Sequence, residues 1–199
     1  MPERAFHHRS PSRSWLRELA WSRALGQARN PPGRVLSVAL ADRLIRAWGD
    51  DTTAVSPEFL VRCHHAASLA TGTIIDFGAG VTTLVMTLAC RNRPASVFAF
   101  EHDPERRVRV LVELSQLCRR GADVRLVDLD SREGIAWPRA DLHAVRRPIA
   151  FAAMHPIAGL GPPREAWDRI VEPALPDKCP VYFDPPDPEK ANGVPRTGH

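Results

Sequence analysis

The chain has 199 residues, 44% hydrophobic and 25% charged, with a formal net charge of +4. These are ordinary values for one globular domain with a sizeable core and at most an appendage. No apolar run approaches the roughly 20 residues that a membrane-spanning helix needs, so a helical membrane protein is excluded and a soluble one expected.

Residues 1–9 read as disordered. The pattern over residues 11–27 predicts an amphipathic helix with Trp15, Leu16, Leu19, Ala20 and Leu25 as its apolar positions. Ser10 is placed to cap it with Pro11 first in the helix, and Ser12 or Ser14 would cap a shorter version. Asn30-Pro31-Pro32-Gly33 breaks the chain. A second helix follows, with Val35, Val38, Ala39, Leu44, Ile45 and Trp48 on its apolar side and Gly49-Asp50-Asp51 at its end. Ser56-Pro57-Glu58 supplies a cap, a first-position proline and a first-turn acid for a third helix that stops at Thr71-Gly72. Residues 1–49 hold nine arginines and three acids, a net +6, which leaves 4 − 6 = −2 for residues 50–199. The only lysines are Lys178 and Lys190, a bias that GC-rich coding explains. A basic arm without a recognition motif is weak ground for a nucleic-acid partner, and none is expected. The arm is also Arg-rich and acid-poor in the manner of an organellar presequence.

From Thr73 onward short strands alternate with helices. Strands are predicted at 73–77, 96–101, 124–128, 149–154 and 181–184, and helices at 82–91, 104–119 and 163–172. This alternation predicts a doubly wound, mostly parallel sheet, and the near-continuous apolar strands suit a sheet covered on both faces. Asp184 to His199 reads as an irregular tail. Cys63, Cys90, Cys118 and Cys179 show no metal-ligand spacing, so reduced thiols in a cytoplasmic protein are expected and no metal site. His64 and His65 are adjacent on a helix and diverge by about 100°, which separates them as metal ligands.

Three strand ends carry candidate chemistry. Thr73-Ile74-Ile75-Asp76-Phe77-Gly78-Ala79-Gly80-Val81-Thr82-Thr83 is a strand, a tight glycine turn and a helix start. Glycines there permit positive φ and remove Cβ atoms that would block a ligand, and the helix start offers free N–H groups. A nicotinamide-binding turn would need a third glycine where Thr83 stands. Val97-Phe98-Ala99-Phe100-Glu101-His102-Asp103-Pro104 ends a second strand in an acid suited to ribose hydroxyls, with Asp103 also placed as a helix cap. Val124 to Ser131 brings Asp128 and Asp130 after the third strand, where an acid can meet an adenine amino group.

Pro57-Glu58-Phe59-Leu60, Ile75 to Leu84 and Phe100-Glu101-His102-Asp103-Pro104 together resemble the class I S-adenosylmethionine-dependent methyltransferases, especially a bacterial branch. The resemblance spans roughly residues 50–185. It implies a Rossmann-like sheet of order 3-2-1-4-5, S-adenosyl-L-methionine as cofactor and a small-molecule methyl acceptor. It implies that Asp76, Gly78 and Gly80 surround the methionine part of the cofactor and that Glu101 binds the ribose. The expected cofactor-binding set is Asp76, Gly78, Ala79, Gly80, Thr82, Glu101, His102, Asp128 and Asp130. In that family the fourth strand commonly ends in an acid near the transferred methyl; here the place reads Ala152-Ala153-Met154-His155-Pro156. His155 is the candidate general base, or a polar strand-tip residue with no catalytic task. Asp184-Pro185-Pro186-Asp187 is similar to an amine-methylating motif but lacks its aromatic residue, and a rigid exit from the fifth strand is favoured. Few residues follow Asp184, so a truncated, degenerate or five-stranded sheet is expected.

The expected organisation is a basic helical extension over 1–55, a Rossmann-like S-adenosylmethionine-binding domain over 56–186 and an irregular tail over 187–199. The expected function is methyl transfer to a small molecule. The alternative is a non-catalytic protein of the same fold that binds the cofactor or a protein partner.

Overall fold

The computed structural model describes residues 13–30, 35–49, 55–117, 122–132, 134–139, 141–146, 148–157, 160, 162–174 and 179–184. Helices α1 (Arg13–Arg29), α2 (Val38–Trp48) and α3 (Pro57–Leu69) precede strand β1 (Gly72–Phe77). Then come α4 (Val81–Ala89), β2 (Ala95–Glu101), α5 (Pro104–Gln116) and β3 (Ala122–Leu126). A hairpin, β4 (Leu129–Arg132) and β5 (Ile135–Pro138), separates these from β6 (Ile149–Met154), α6 (Pro163–Ala166) and β7 (Val181–Phe183). The expected disorder of residues 1–9, the caps Ser10 and Ser12, the break at residues 31–33, Asp50-Asp51, Cys118 and the tail over 187–199 lie outside the described residues.

The main sheet has five strands in the order β3-β2-β1-β6-β7, and every pairing is parallel. This is a Rossmann-like α/β arrangement, with β6 and β7 as the fourth and fifth strands of the expected 3-2-1-4-5 order. Side-chain alternation divides its two faces. Ile74, Val97, Ala99, Phe151 and Ala153 pack into one core with Trp21, Leu44, Trp48, Phe59, Leu84 and Val110 from α1 to α5. Ile75, Phe77, Phe98, Phe100, Ala152 and Met154 pack into the other with Trp137 of the hairpin and Trp167 and Ile170 beyond α6. Both faces are covered, which is why the strands are almost uniformly apolar.

Four expectations are corrected. The third strand ends at Leu126, and Asp128 leads instead into a two-stranded antiparallel hairpin that was not expected. Its turn passes through Gly134 at φ +83°, a left-handed conformation that glycine adopts without strain. In α1 the buried stripe is Trp21, Ala24, Leu25 and Ala28, whereas Trp15, Leu16 and Leu19 stand 46%, 54% and 40% exposed. Two apolar arcs overlap in this helix, and α2, α4 and α5 cover only the second. In α2 the Ser37 side chain accepts from Leu40 N and fixes the helix start, so the stripe becomes Leu40, Ala41, Leu44, Ala47 and Trp48, with Val35, Val38 and Ala39 exposed. The helix expected over 163–172 is α-helical only to Ala166; it widens into π-helical turns over Trp167–Val171 and closes with a 3₁₀ turn over Glu172–Ala174.

The N-terminal helices are anchored on the sheet unit by polar contacts as well as apolar ones. Trp21 Nε1 donates to Glu113 Oε2 at 2.7 Å, Arg91 Nη2 to Asn30 Oδ1 at 2.8 Å and Arg29 Nη2 to the Gln116 carbonyl at 3.3 Å. Among the described residues, no helix is long and apolar enough to cross a membrane.

Candidate functional site

The parallel register aligns the strand ends. Phe77 lies opposite Phe100 and Met154, Met154 opposite Phe183, and Glu101 opposite Leu126. Residues 78–83, 102–103, 127–128 and 155–157 therefore meet at one edge. β1 sits where the crossovers change direction, the place at which open α/β sheets form ligand crevices.

The glycine turn is fixed by two different constraints. Gly78 has φ +89°, and a Cβ on it would stand 2.9 Å from Ile157 Cδ1 and 3.1 Å from His155 Cε1. Gly80 has φ −177°, extended backbone open to any residue, and the nearest atom to an added Cβ is Trp48 Nε1 at 3.9 Å. The need for a special backbone conformation thus holds for Gly78 and not for Gly80, where glycine leaves open space. Thr83, in the first turn of α4, locks the geometry. Its hydroxyl accepts from the Gly80 N–H at 3.1 Å and donates to Asp76 Oδ2 at 2.6 Å.

Asp76 is completely buried, and its second oxygen, Oδ1, has no partner. Burial pushes its carboxyl up to about 6; the His155 ring and the Thr83 hydrogen bond oppose the rise, and Glu101 adds to it. Glu101 is equally buried. Its Oε1 accepts from the His102 and Asp103 N–H groups, both at 2.8 Å, while Oε2 is buried without a partner. His102 Nδ1 lies 3.1 Å from Glu101 Oε1. Asp103 caps α5, accepting from Glu105 N at 2.9 Å and Arg106 N at 3.3 Å. A third buried oxygen without a partner, the Thr82 hydroxyl Oγ1, belongs to the first turn of α4.

A small cleft, partly open to solvent, adjoins this edge. Ile45, Trp48 and Val55 line it together with residues 79–82, Arg106 and His155; Asp76 and Glu101 do not line it. In the sequence Trp48 shows only as an apolar helix position, and nothing there marks Val55 or Arg106. The missed signal is that α2 ends on a tryptophan directly before Gly49, whose left-handed conformation (φ +66°) stops the helix and turns the chain there.

His155 is buried, with Nε2 at 3.0 Å from the Gly78 carbonyl and Nδ1 at 3.1 Å from the Pro156 carbonyl. Both ring nitrogens face acceptors, so taking a proton from a substrate would first break one of these contacts. Its visible task is to tie the glycine turn to the end of β6. Asp128 follows Leu126 by two residues, is exposed and offers its backbone carbonyl to Arg139 N at 2.7 Å. Asp130 lies within the hairpin opposite Trp137. The turn, Glu101 and His102 thus converge with Ala79 and Thr82, while Asp128 and Asp130 stand beside them on a separate element. Asp184 closes the fold: Oδ1 accepts from Ser56 Oγ and Oδ2 from Ser56 N, each at 2.6 Å. Burial pushes the Cys90 and Cys179 thiols up to about 11 and raises that of Cys63 as well, so all three are poor nucleophiles. Among the described residues, no group of three His, Cys, Asp or Glu side chains is placed to hold a metal ion.

No family model matches the chain, and no curated protein matches it either.

Proposed function

We propose that the protein is an S-adenosylmethionine-dependent methyltransferase acting on a small molecule. The observation that carries this reading is a set of three buried polar atoms without partners, Asp76 Oδ1, Thr82 Oγ1 and Glu101 Oε2, grouped around the glycine turn at the switch point of the sheet. Buried polar groups are nearly always satisfied, so such a set suits a polar ligand, although of the three only Thr82 lines the cleft. When bound, S-adenosylmethionine would supply an electrophilic methyl group on a sulfonium. Glu101 Oε2 would accept from a ribose hydroxyl, its other oxygen already fixed by two backbone N–H groups. Asp76, ionised at neutral pH, would accept from the cofactor's ammonium through Oδ1. The chain's contribution to rate would be alignment and exclusion of water, which needs no dedicated base.

One observation favours a second reading, a non-catalytic binding protein of this fold. The end of β6 offers Met154 and a carbonyl-engaged His155 where a catalytic acid would be expected. Transfer of a labelled methyl group from the cofactor to a small-molecule extract separates the two readings.

Calorimetric titration with S-adenosylhomocysteine tests what both cofactor-binding readings share. Binding is expected, and Glu101→Gln should weaken it by roughly 1–3 kcal/mol, the value of a hydrogen bond to a charged group. Gly80→Val should also weaken it, because the extended backbone tolerates valine while the side chain fills the open space beneath Trp48. Absence of binding at millimolar ligand would sink the methyltransferase reading.

A further inference from the structure

One edge of the main sheet is β3, which pairs with β2 alone among the described residues. Val127 N donates to the Glu101 carbonyl on the β2 side. Backbone groups alternate in direction along a strand, so Val124 and Leu126 turn theirs outward to the edge. In keeping with this, Arg107 Nε of α5 donates to the Val124 carbonyl at 2.9 Å from outside the sheet. A carbonyl oxygen has two lone pairs, so this bond leaves a place for a second donor. Two apolar side chains stand exposed here. One is Leu126; the other is Val108, which lies beside Arg107 on the side of α5 that also carries Leu111.

Charged side chains ordinarily keep a sheet edge from pairing. Here Asp123 and Arg125 are both exposed, opposite in sign and two residues apart, and a 3.2 Å contact joins them within the strand. The run Ala122-Asp123-Val124-Arg125-Leu126 is complementary to its own reverse. When two copies of β3 meet antiparallel about a twofold axis at Val124, residue 123 lies opposite 125 and residue 122 opposite 126. Asp123 of each copy then faces Arg125 of the other. With Val124 turned outward these positions form a non-hydrogen-bonded pair, the kind in which side chains approach most closely. Moving the axis to residue 123 sets Asp against Asp, and moving it to residue 125 sets Arg against Arg. The charges therefore admit one register and oppose its neighbours.

We propose that the partner for this edge is a second copy of the chain. The two copies join through β3 about a twofold axis at Val124 and make one continuous sheet of ten strands, five from each. The axis stands perpendicular to the sheet, so α5 runs antiparallel beside its counterpart and Leu126 and Val108 are covered. The crevices at the Glu101 ends open at opposite ends of the joined sheet. The dimer does not rest on the methyltransferase reading.

Sedimentation equilibrium of the full-length protein tests this. The strand contributes five residues, less than a standard interface, so a reversible dimer with a Kd of roughly 1–100 μM is expected. A protein that remains monomeric up to about 1 mM overturns the proposal. Asp123→Arg and Arg125→Asp each set like charges across the axis twice and should each weaken self-association roughly tenfold or more. Mixed together, the two variants should associate with each other, and a chain carrying both changes should dimerise as the natural protein does. Circular dichroism checks that each variant is folded. Arg125 also stacks on the Phe98 ring, 4.6 Å from its centroid. If Arg125→Asp fails to fold for that reason, Asp123→Arg and Val108→Asp carry the test, and both should weaken the dimer. Undiminished dimers in the folded variants would place the contact elsewhere and overturn the proposal. Weakening in both folded single variants with no recovery in the mixture or the doubly changed chain would overturn it too, because opposite charges would then not be meeting across the axis.

Discussion

Asp76 is enclosed on all sides, with one oxygen held by Thr83 and the other unpartnered. Its carboxyl titrates near 6 rather than the usual 3.8 because burial disfavours the charged form. The folded chain therefore holds this proton more tightly than the unfolded chain. The group's contribution is fully present below about pH 4, is lost as pH rises through about 6 and stays lost above it. A difference of about two pH units corresponds to a cost on the order of 3 kcal/mol at neutral pH. Asp76→Asn should accordingly raise the melting temperature at pH 7.5, with a gain that shrinks towards zero by pH 4. The same change should weaken S-adenosylhomocysteine binding. A variant no more stable than the natural protein at pH 7.5 would show that the buried charge is already compensated. Asp76, Gly78 and Glu101 were legible in the sequence because each ends a strand in a residue that such a position rarely tolerates without purpose. Trp48 and Thr83 were not, because their roles depend on which elements pack together rather than on local spacing.

Among the elements, α3 and β7 are joined by a short polar latch. Asp184 satisfies both the hydroxyl and the backbone N–H of Ser56, and Ser56 in turn caps α3 through Phe59 N at 3.2 Å. Arg62 Nη2 donates to the Phe183 carbonyl at 2.9 Å beside it. Asp184→Ala strands two donors of Ser56 and should lower stability in urea by about 2–3 kcal/mol, with Asp184→Asn costing less. A loss under about 0.5 kcal/mol would mean that Ser56 finds other partners. The five sheet strands were readable because their apolar runs are bounded by turn residues. The β4–β5 hairpin was not: Leu129-Asp130-Ser131-Arg132 is mostly polar, and only Gly134 marks the turn. The helix after β6 was readable as a helix but not as a π-helical one, because the spacing of Trp167, Ile170 and Val171, all buried in the core on that face, does not distinguish the two.

Across the whole molecule, the N-terminal extension is part of the core. Trp21, Leu25, Leu40, Leu44 and Trp48 are buried in the same cluster as Ile74, Leu84 and Val110. Removing residues 1–49 should uncover that face of α4 and α5. The truncated chain is expected to bind a hydrophobic dye and to lose its cooperative thermal transition. Retention of a sharp transition would show that the sheet unit folds alone. The change from helices to alternating strands and helices was legible at Thr73, but helical periodicity does not say whether the helices before it are a separate unit or a layer of the next one.

The latch between Ser56 and Asp184 joins residues 128 apart, and Trp21 reaches Glu113 across 92. At a synthesis rate of about 5–20 residues per second, Ser56 waits several seconds or more for its partner to be made. Pairing of β1 with β2 needs only the short α4 crossover, whereas β6 and β7 arrive after the hairpin. The nascent chain therefore passes through a stage in which the glycine turn is formed and one long side of β1 is still open. Exposed strand edges recruit other strands, so the order of events leaves the β1 edge open to wrong pairing until β6 arrives.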